Sequence, residues 1–256
     1  MDKTQSDKLF LLGGYDLEMM TIKQMLEERK DCVVFDKHLK WSNAFLSAYQ
    51  DVIQGLQGVD IYGIELQEDT PAPMHYHRID HHNDMSSNPS SLEQVAAVLG
   101  IPLDRHQQLV AANDSGYIPG MKAMGASKEE IDDIRRRDRE VQGVSEAEER
   151  LAEQSIAKHL ERHGELLIVK SLTTHFSPIC DRLFPYKHLL VYTYDEWMFY
   201  GEGKNELTNL FADEIQQKKV FHGGGKNGFI GCVKQSFRHD EISNIVEDIK
   251  NKYGHA

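Results

Sequence analysis

The sequence predicts an α/β protein, with a doubly wound parallel-sheet N-terminal domain followed by a smaller mixed α/β C-terminal domain. Three observations predict it. Apolar, β-rich runs alternate with amphipathic helical stretches through the first half, the pattern of βαβ units on a parallel sheet. A long, charged, helical stretch follows. Beyond it strands succeed one another directly, with helices between pairs, which points to a mixed sheet.

In chain order, 8–12 is a short strand ending in Gly13-Gly14, and 17–29 is a helix with Met20, Ile22 and Leu26 inward. Residues 32–35 form a strand. Phe45, Leu46, Tyr49 and Ile53 recur at helical spacing, so 43–56 reads as a helix. Strands follow at 59–66 and 75–80. A helix at 91–99 is capped by Ser90 or Ser91 and stopped by Gly100. The apolar run 109–112 reads as a further strand. From 127 to about 163 the chain is polar and helical, with apolar residues at Ile131, Ile134, Val141, Leu151, Ile156 and Leu160. The expected limits are therefore a first domain at 1–126, a helical connector at 127–163 and a second domain at 164–256. In the last, strands at 166–172, 189–194, 196–200 and 229–235 alternate with helices at 178–183, 206–217 and 240–253. Asp240 is the expected cap of the final helix.

A chain of 256 residues is long enough for one large domain or two modest ones. With 40% hydrophobic and 27% charged residues, its composition is that of an ordinary soluble protein. No stretch approaches the roughly 20 apolar residues that span a bilayer, so no membrane association is expected. The polar N-terminus does not resemble a signal peptide. Cys32, Cys180 and Cys232 are scattered without metal or redox spacing, which fits reduced thiols in the cytoplasm. The net charge of −12 suits solubility and disfavours long duplex nucleic acid, whose binding rests on neutralising phosphates. It leaves room for a local basic pocket and a short or small phosphorylated ligand. Oligomeric state is not legible.

Four acidic segments carry the chemistry, each after an apolar run. In Gly13-Gly14-Tyr15-Asp16-Leu17-Glu18, two acids at i and i+2 can reach one cation, and Asp16 can also simply cap the next helix. Ile61-Tyr62-Gly63-Ile64-Glu65 ends in a carboxylate that could equally face solvent. Ile79-Asp80-His81-His82 sets a carboxylate before two imidazoles. Asn113-Asp114-Ser115-Gly116-Tyr117 is either a further ligand segment or an Asx-type turn. Ligands of open α/β sheets bind beyond the carboxyl ends of the strands. If these segments end neighbouring strands, Asp16, Glu18, Glu65, His81 and Asp114 converge. Carboxylates in contact repel by roughly 4 kcal/mol per pair at an effective dielectric near 20, and a divalent cation removes that repulsion. Mixed carboxylate and imidazole ligands suit manganese, with iron, cobalt or magnesium as alternatives.

These segments together resemble the four motifs of the DHH phosphoesterase superfamily, which includes RecJ-like nucleases, oligoribonucleotide and pAp phosphatases, and manganese pyrophosphatases. Phe221-His222-Gly223-Gly224-Gly225-Lys226-Asn227-Gly228-Phe229-Ile230-Gly231 resembles the glycine loop of the family's C-terminal substrate-binding domain. The resemblance thus covers nearly the whole chain. It implies Asp16 and Glu18 as ligands of two different metals, Glu65 as the bridging acid, and His81 and Asp114 as further ligands. It places His82 near the scissile phosphate, with Asp80 beside it in the catalytic motif. It makes His222, Gly223, Gly224, Gly225 and Lys226 the holders of substrate phosphate or carboxylate, with Lys226 where the family usually has a histidine.

The chain departs from the family pattern in three places. Leu12 stands where the first motif usually has a histidine ligand, the second acid of the pair is Glu18 rather than aspartate, and the second-motif acid is Glu65. One metal position is thereby a ligand short. One or two ions are then compatible with the site, and His75 or His77 is a candidate substitute. The expected function is metal-dependent hydrolysis of a phosphoester in a small substrate or short oligonucleotide, in a cleft between the domains. The alternatives are a degenerate relative that binds a phosphorylated ligand without turnover, and a pyrophosphatase-like enzyme.

Three further features admit two readings each. His175, after a strand, either lines the substrate site or is a surface histidine. Arg135-Arg136-Arg137-Asp138-Arg139 is either a solvated helix face or a phosphate contact. Tyr192, Tyr194, Trp197, Phe199 and Tyr200 either pack the sheet or stack on bases.

Overall fold

The structure, a computed structural model, describes residues 8–56, 58–225 and 227–254. The chain divides into two compact units, Met1–Gly143 and Val144–Ala256.

The first unit runs β1 (Lys8–Leu12), α1 (Leu17–Glu27), β2 (Cys32–Asp36), a short α2 (Gln50–Ile53), β3 (Asp60–Ile64), β4 (Tyr76–Ile79), α3 (Ser91–Leu99), α4 (Arg105–Ala123) and α5 (Lys128–Val141). Among the described residues its strands form one all-parallel sheet in the order β2-β1-β3-β4. The central strand β1 is buried on both faces, as a parallel strand between two helical layers must be. Leu9 and Leu11 pack with Ala44, Leu46, Tyr49 and Ile61 on one face. Phe10 and Leu12 alternate to the other face and are equally buried. This is the doubly wound arrangement the alternation predicts.

The second unit runs α6 (Glu146–His159), β5 (Leu160–His163), β6 (Leu166–Lys170), α7 (Ser177–Leu183), β7 (His188–Tyr192), β8 (Trp197–Gly201), α8 (Lys204–Leu210), α9 (Ala212–Gln216), β9 (Val220–Gly223), β10 (Phe229–Cys232) and α10 (His239–Tyr253). Among the described residues its sheet has the order β5-β6-β7-β8-β10-β9, with only β6 and β7 parallel. Leu166, Ile168, Leu190, Trp197 and Phe199 pack on one face with Leu207 of α8 and Ile242 and Val246 of α10. Leu167, Val169, Leu189 and Val191 pack on the other with Ala152 of α6 and Ile179 of α7.

Several expectations are corrected. The stretch 43–56 is not one helix but a 3₁₀ turn, Leu46–Tyr49, running into α2, with another turn, Trp41–Asn43, just before it. The apolar run 109–112 lies inside α4, not in a strand. The stretch 127–163 is broken by Gly143 at positive φ, and its end is strand β5. Its α5 packs on α1 and α4 of the first unit, while α6 packs on α7 and β6 of the second. The helix expected at 206–217 is two short ones, and α10 is capped at Arg238 rather than Asp240. Helix α3 forms as predicted, with Ser90 and Glu93 in a reciprocal capping box and Gly100 left-handed at its end. Among the described residues no helix is long and apolar enough to cross a membrane.

Candidate metal centre

The parallel sheet brings the carboxyl ends of β1, β3 and β4 side by side, and each is followed by one of the acidic segments. Asp16 caps α1, its Oδ1 accepting from the backbone N–H of Met19 at 2.8 Å. Asp16 therefore caps the helix, and Glu65 and Asp114 lie near enough to act on its carboxyl. Glu18, in the first turn of α1, is 2% exposed. Glu65 follows β3 at a φ of 53°, in the left-handed region that side chains disfavour. Gly13 makes the approach possible, because a β-carbon there would collide with the carbonyls of Ile64 and Glu65.

These acids meet His81, which follows β4. Its Nε2 lies 2.6 Å from Asp114 Oδ2, 3.5 Å from Glu18 Oε2 and 3.5 Å from Glu65 Oε1. Asp114 reaches the cluster from α4, where Tyr117 has a non-helical backbone and Pro119 follows. Asn113, beside it, is held by Arg135, whose Nη1 donates to Asn113 Oδ1 at 3.0 Å and to Asp138 Oδ2 at 2.6 Å. The guanidinium also lies over the Tyr117 ring. The charge run on α5 is thus split. Arg135, Asp138 and Arg139 are buried, while Arg136 and Arg137 are exposed and paired with Asp133. Five consecutive charged residues cannot share one helix face, and this run is divided between the interior and solvent.

The amino end of α3 holds the two glutamates from the other side. Ser91 Oγ donates to Glu65 Oε1 at 2.7 Å, and the N–H of Leu92 donates to Glu18 Oε1 at 3.0 Å. A helix N-terminus favours negative charge. It does not neutralise this much of it. Burial pushes the Glu18 carboxyl up to about 7, although the His81 contact works the other way. Burial and the neighbouring Glu65 and Asp114 raise Asp16 well above the usual carboxylate range. Burial opposes a charge on His81, but Asp114, Glu18 and Glu65 outweigh it and carry the imidazole up to about 12. The proton on His81 does what a cation would do at this point.

The donor set fits a divalent ion. Glu65, His81, His82 and Asp114 each place one ligand atom within 4.8 Å of the others. Glu18 Oε2, His81 Nε2 and Asp114 Oδ2 are buried without a hydrogen bond. Buried polar atoms normally find partners, so unpaired ones aimed at one point call for an occupant. Carboxylate oxygens with an imidazole nitrogen are a donor set for manganese-like ions.

Asp80 and His82 stand beside the cluster. Asp80 accepts from Arg78 Nη2 at 2.5 Å, from the His82 N–H at 2.9 Å and from His82 Nδ1 at 3.2 Å. Burial works against the charge on Asp80, but the His82 and Arg78 contacts hold its carboxyl below the usual range. The same Asp80 contact raises His82, against its burial. His82 Nδ1 is 3.9 Å from Glu65 Oε1. Asp80 touches His82 and not the point of convergence.

Neither candidate for the missing ligand is at the cluster. His75 precedes β4, at the opposite end of the strand from Asp80, and is exposed. His77 pairs with Asp60 at 3.2 Å and stacks on Tyr62. Leu12 is buried.

In the second unit, His222 and Gly223 end β9, and Gly224 and Gly225 continue at φ 70° and 65°. Lys226 lies outside the described residues. Lys204, buried at the start of α8, donates to the Gly225 carbonyl at 2.9 Å. Nothing in the sequence singled it out. His175 Nδ1 lies 2.5 Å from Glu148 Oε1. Trp197 and Phe199 are core residues, which removes them as base-stacking candidates, whereas Tyr194 is exposed and stacks on His239. Trp41 and Ser91 also escaped sequence reasoning as residues near the cluster, and Arg135, a phosphate-contact candidate, instead bonds Asn113 and Asp138. Only Ser91 left a signal, its place at the start of a well-capped helix.

No family model matches the sequence, and no curated protein resembles it significantly. Solved structures do. The pGpG-specific phosphodiesterase PggH from Vibrio cholerae is 12% identical with a TM-score of 0.52, covering 96% of this chain and 98% of that one. The DHH domain of a member of a family of ribosomal proteins is 10% identical with a TM-score of 0.52, over 99% of this chain and 88% of that one. RecJ from Thermus thermophilus, in complex with Mn2+, is 10% identical with a TM-score of 0.49, over 97% of this chain and 53% of that one. At such identities the first two likenesses are ones of fold, and the chain has the fold of the DHH superfamily.

Proposed function

We propose that this protein is a metal-dependent phosphoesterase acting on a small phosphorylated molecule or short oligonucleotide. The observation that carries the reading is the convergence of Glu18, Glu65 and Asp114 on His81 Nε2, with a buried atom of Glu18, His81 and Asp114 each left without a hydrogen bond. Asp16, Glu18, Glu65, His81 and Asp114 are the proposed holders of the ion, with manganese favoured over magnesium, iron or cobalt. Bound there, a divalent ion supplies positive charge against phosphoryl oxygens and an activated water.

The chain's own groups have separate tasks. Ser91 and the Leu92 N–H fix the Glu65 and Glu18 carboxylates. Asp80 accepts from His82 Nδ1, which orients the ring and leaves Nε2 as the nitrogen that meets a phosphoryl oxygen or the leaving group. Asp80 is then a positioning residue. Arg135 keeps Asn113, and with it Asp114, in place. The backbone N–H groups of Gly223, Gly224 and Gly225, with Lys226 and His222, are the proposed phosphate holders of the second unit. His175 is a weaker candidate, since Glu148 already engages it. A small substrate is consistent with the net charge of −12 and with the pGpG specificity of the Vibrio cholerae protein. Long duplex nucleic acid is not an expected partner. The scattered thiols, none of them in a disulfide, support a cytoplasmic setting.

A second reading, phosphate-ligand binding without turnover, is favoured by one observation. Leu12 stands where the family's first histidine ligand is expected, and neither His75 nor His77 is placed to replace it. Metal analysis of the purified protein, joined to a panel of pyrophosphate, nucleotides, dinucleotides and short oligonucleotides with and without Mn2+, separates the readings. Bound metal and Mn2+-stimulated ester cleavage are expected. Absence of both favours the binding protein, and cleavage of pyrophosphate alone favours a pyrophosphatase.

A further inference from the structure

Trp41 is 44% exposed, an unusual position for the largest apolar side chain. It follows β2, the edge strand, and begins the 3₁₀ turn Trp41–Asn43. From there it reaches across the rim of the sheet to His82, which follows β4 at the far edge. The two rings are 5.5 Å apart and edge-on at 64°. The indole lies against Gly14 on the way. A β-carbon on Gly14 would run into Cε2, Cζ2 and Cη2 of the ring at nearly equal distances, so it is the face of the indole that rests on the backbone. Among the described residues no aromatic ring lies parallel to it. The Trp41 ring thus has one face supported on Gly14, His82 beside it in a T-shaped contact and substantial surface in solvent. His82 in turn lies 3.9 Å from Glu65.

Phosphate chemistry at the cluster and a flat aromatic one residue further out match the anatomy of a nucleotide, in which a sugar separates phosphate from base. Inorganic phosphates offer nothing for an indole face. We infer that Trp41 is the platform on which a nucleobase of the substrate stacks, so that the site selects nucleotide esters over pyrophosphate and over sugar phosphates. This rests on the phosphoesterase reading for the identity of the site, but its test does not. Stacking of a base on an aromatic side chain is worth about tenfold or more in affinity and tolerates any base.

The test compares GMP with ribose 5-phosphate, which lacks only the base, on the full chain in Mg2+ buffer by titration calorimetry. Tryptophan emission adds a second readout, because the chain has two tryptophans and Trp197 is fully buried. Wild-type protein is expected to bind GMP about tenfold more tightly than ribose 5-phosphate, with quenching. Trp41→Ala should lose that preference by weakening GMP alone, and Trp41→Phe should keep most of it. Equal affinity of the wild type for both, including no binding of either, overturns the inference, as does a preference that survives Trp41→Ala. A protein that prefers GMP yet cleaves no ester with Mn2+ would sink the phosphoesterase reading and leave the platform standing. Ester cleavage without base preference would do the reverse.

Discussion

His81 Nε2 and Asp114 Oδ2 lie 2.6 Å apart, yet neither makes a hydrogen bond. Two buried polar atoms that close, misaligned for a shared proton, are arranged around a third point. His81→Ala and Asp114→Ala should each reduce Mn2+-stimulated hydrolysis on the order of a hundredfold or more, as expected when a metal site loses a partner. Circular dichroism should show the fold retained. Wild-type rates in either variant would remove both residues from the site.

Without metal, the cluster should make stability fall as pH rises. Glu18 and His81 both bind protons more tightly in the folded chain than their ordinary values of 4.5 and 6.5. A group raised in this way contributes fully below its unfolded pKa, and the contribution is lost as pH climbs towards the folded one. From pH 6 to 8 the metal-free protein should therefore lose up to about 1.4 kcal/mol per pH unit for each proton linked. Metal binding displaces those protons, so affinity should rise over the same range. Thermal melts in chelator and in Mn2+ check this, and a chelator-treated Tm that rises with pH would contradict it.

Arg135→Ala leaves Asp138 buried without its ion partner and Asn113 without its donor. Breaking a buried pair from one side costs about 3–5 kcal/mol. Urea denaturation should record a loss of that size. Weaker Mn2+ binding should accompany it, because Asn113 adjoins Asp114. Unchanged stability would mean that the buried pair does not support the segment.

Gly13→Ala places a β-carbon against the Ile64 and Glu65 carbonyls. Such overpacking costs about 1–3 kcal/mol, and here it would move the end of β3 that carries Glu65. Metal affinity should drop along with stability. Gly125→Ala, at a left-handed φ of 71° with open space around it, should cost stability through its backbone alone and leave metal affinity unchanged.

Leu12→His should raise the amount of Mn2+ bound if a missing first-motif ligand limits the site. Unchanged binding, read by calorimetry, would show that the remaining acids set the capacity.

Much of this architecture was legible because periodicity and capping are local. The alternation of apolar runs marked the parallel sheet, and Ser90, Glu93 and Gly100 marked both ends of α3. Asp80-His81-His82 drew attention as a rare cluster of polar ligands at a strand end. The rest depended on contacts that no local pattern encodes. Residues 109–112 are too few for period 2 to be told from period 3.6, so the sequence sets Asp114 after a strand where the structure has it in α4. The charge run of α5 reads as a solvated face or a phosphate contact because nothing near Arg135 reveals that Asn113, 22 residues away, awaits it. Trp41 sits in a loop, where one aromatic has no period, and its meaning lies in His82, which is distant in sequence.

The backbone of Glu65 carries a last consequence. A left-handed φ at a residue with a side chain costs of order 1–3 kcal/mol, and glycine would adopt it freely. Glycine would also relieve the crowding of negative charge around His81. Glu65→Gly should thus yield a sturdier protein in the absence of metal. The wild-type chain is tensed at this corner, and what it holds there in life is the thing that lets the tension go.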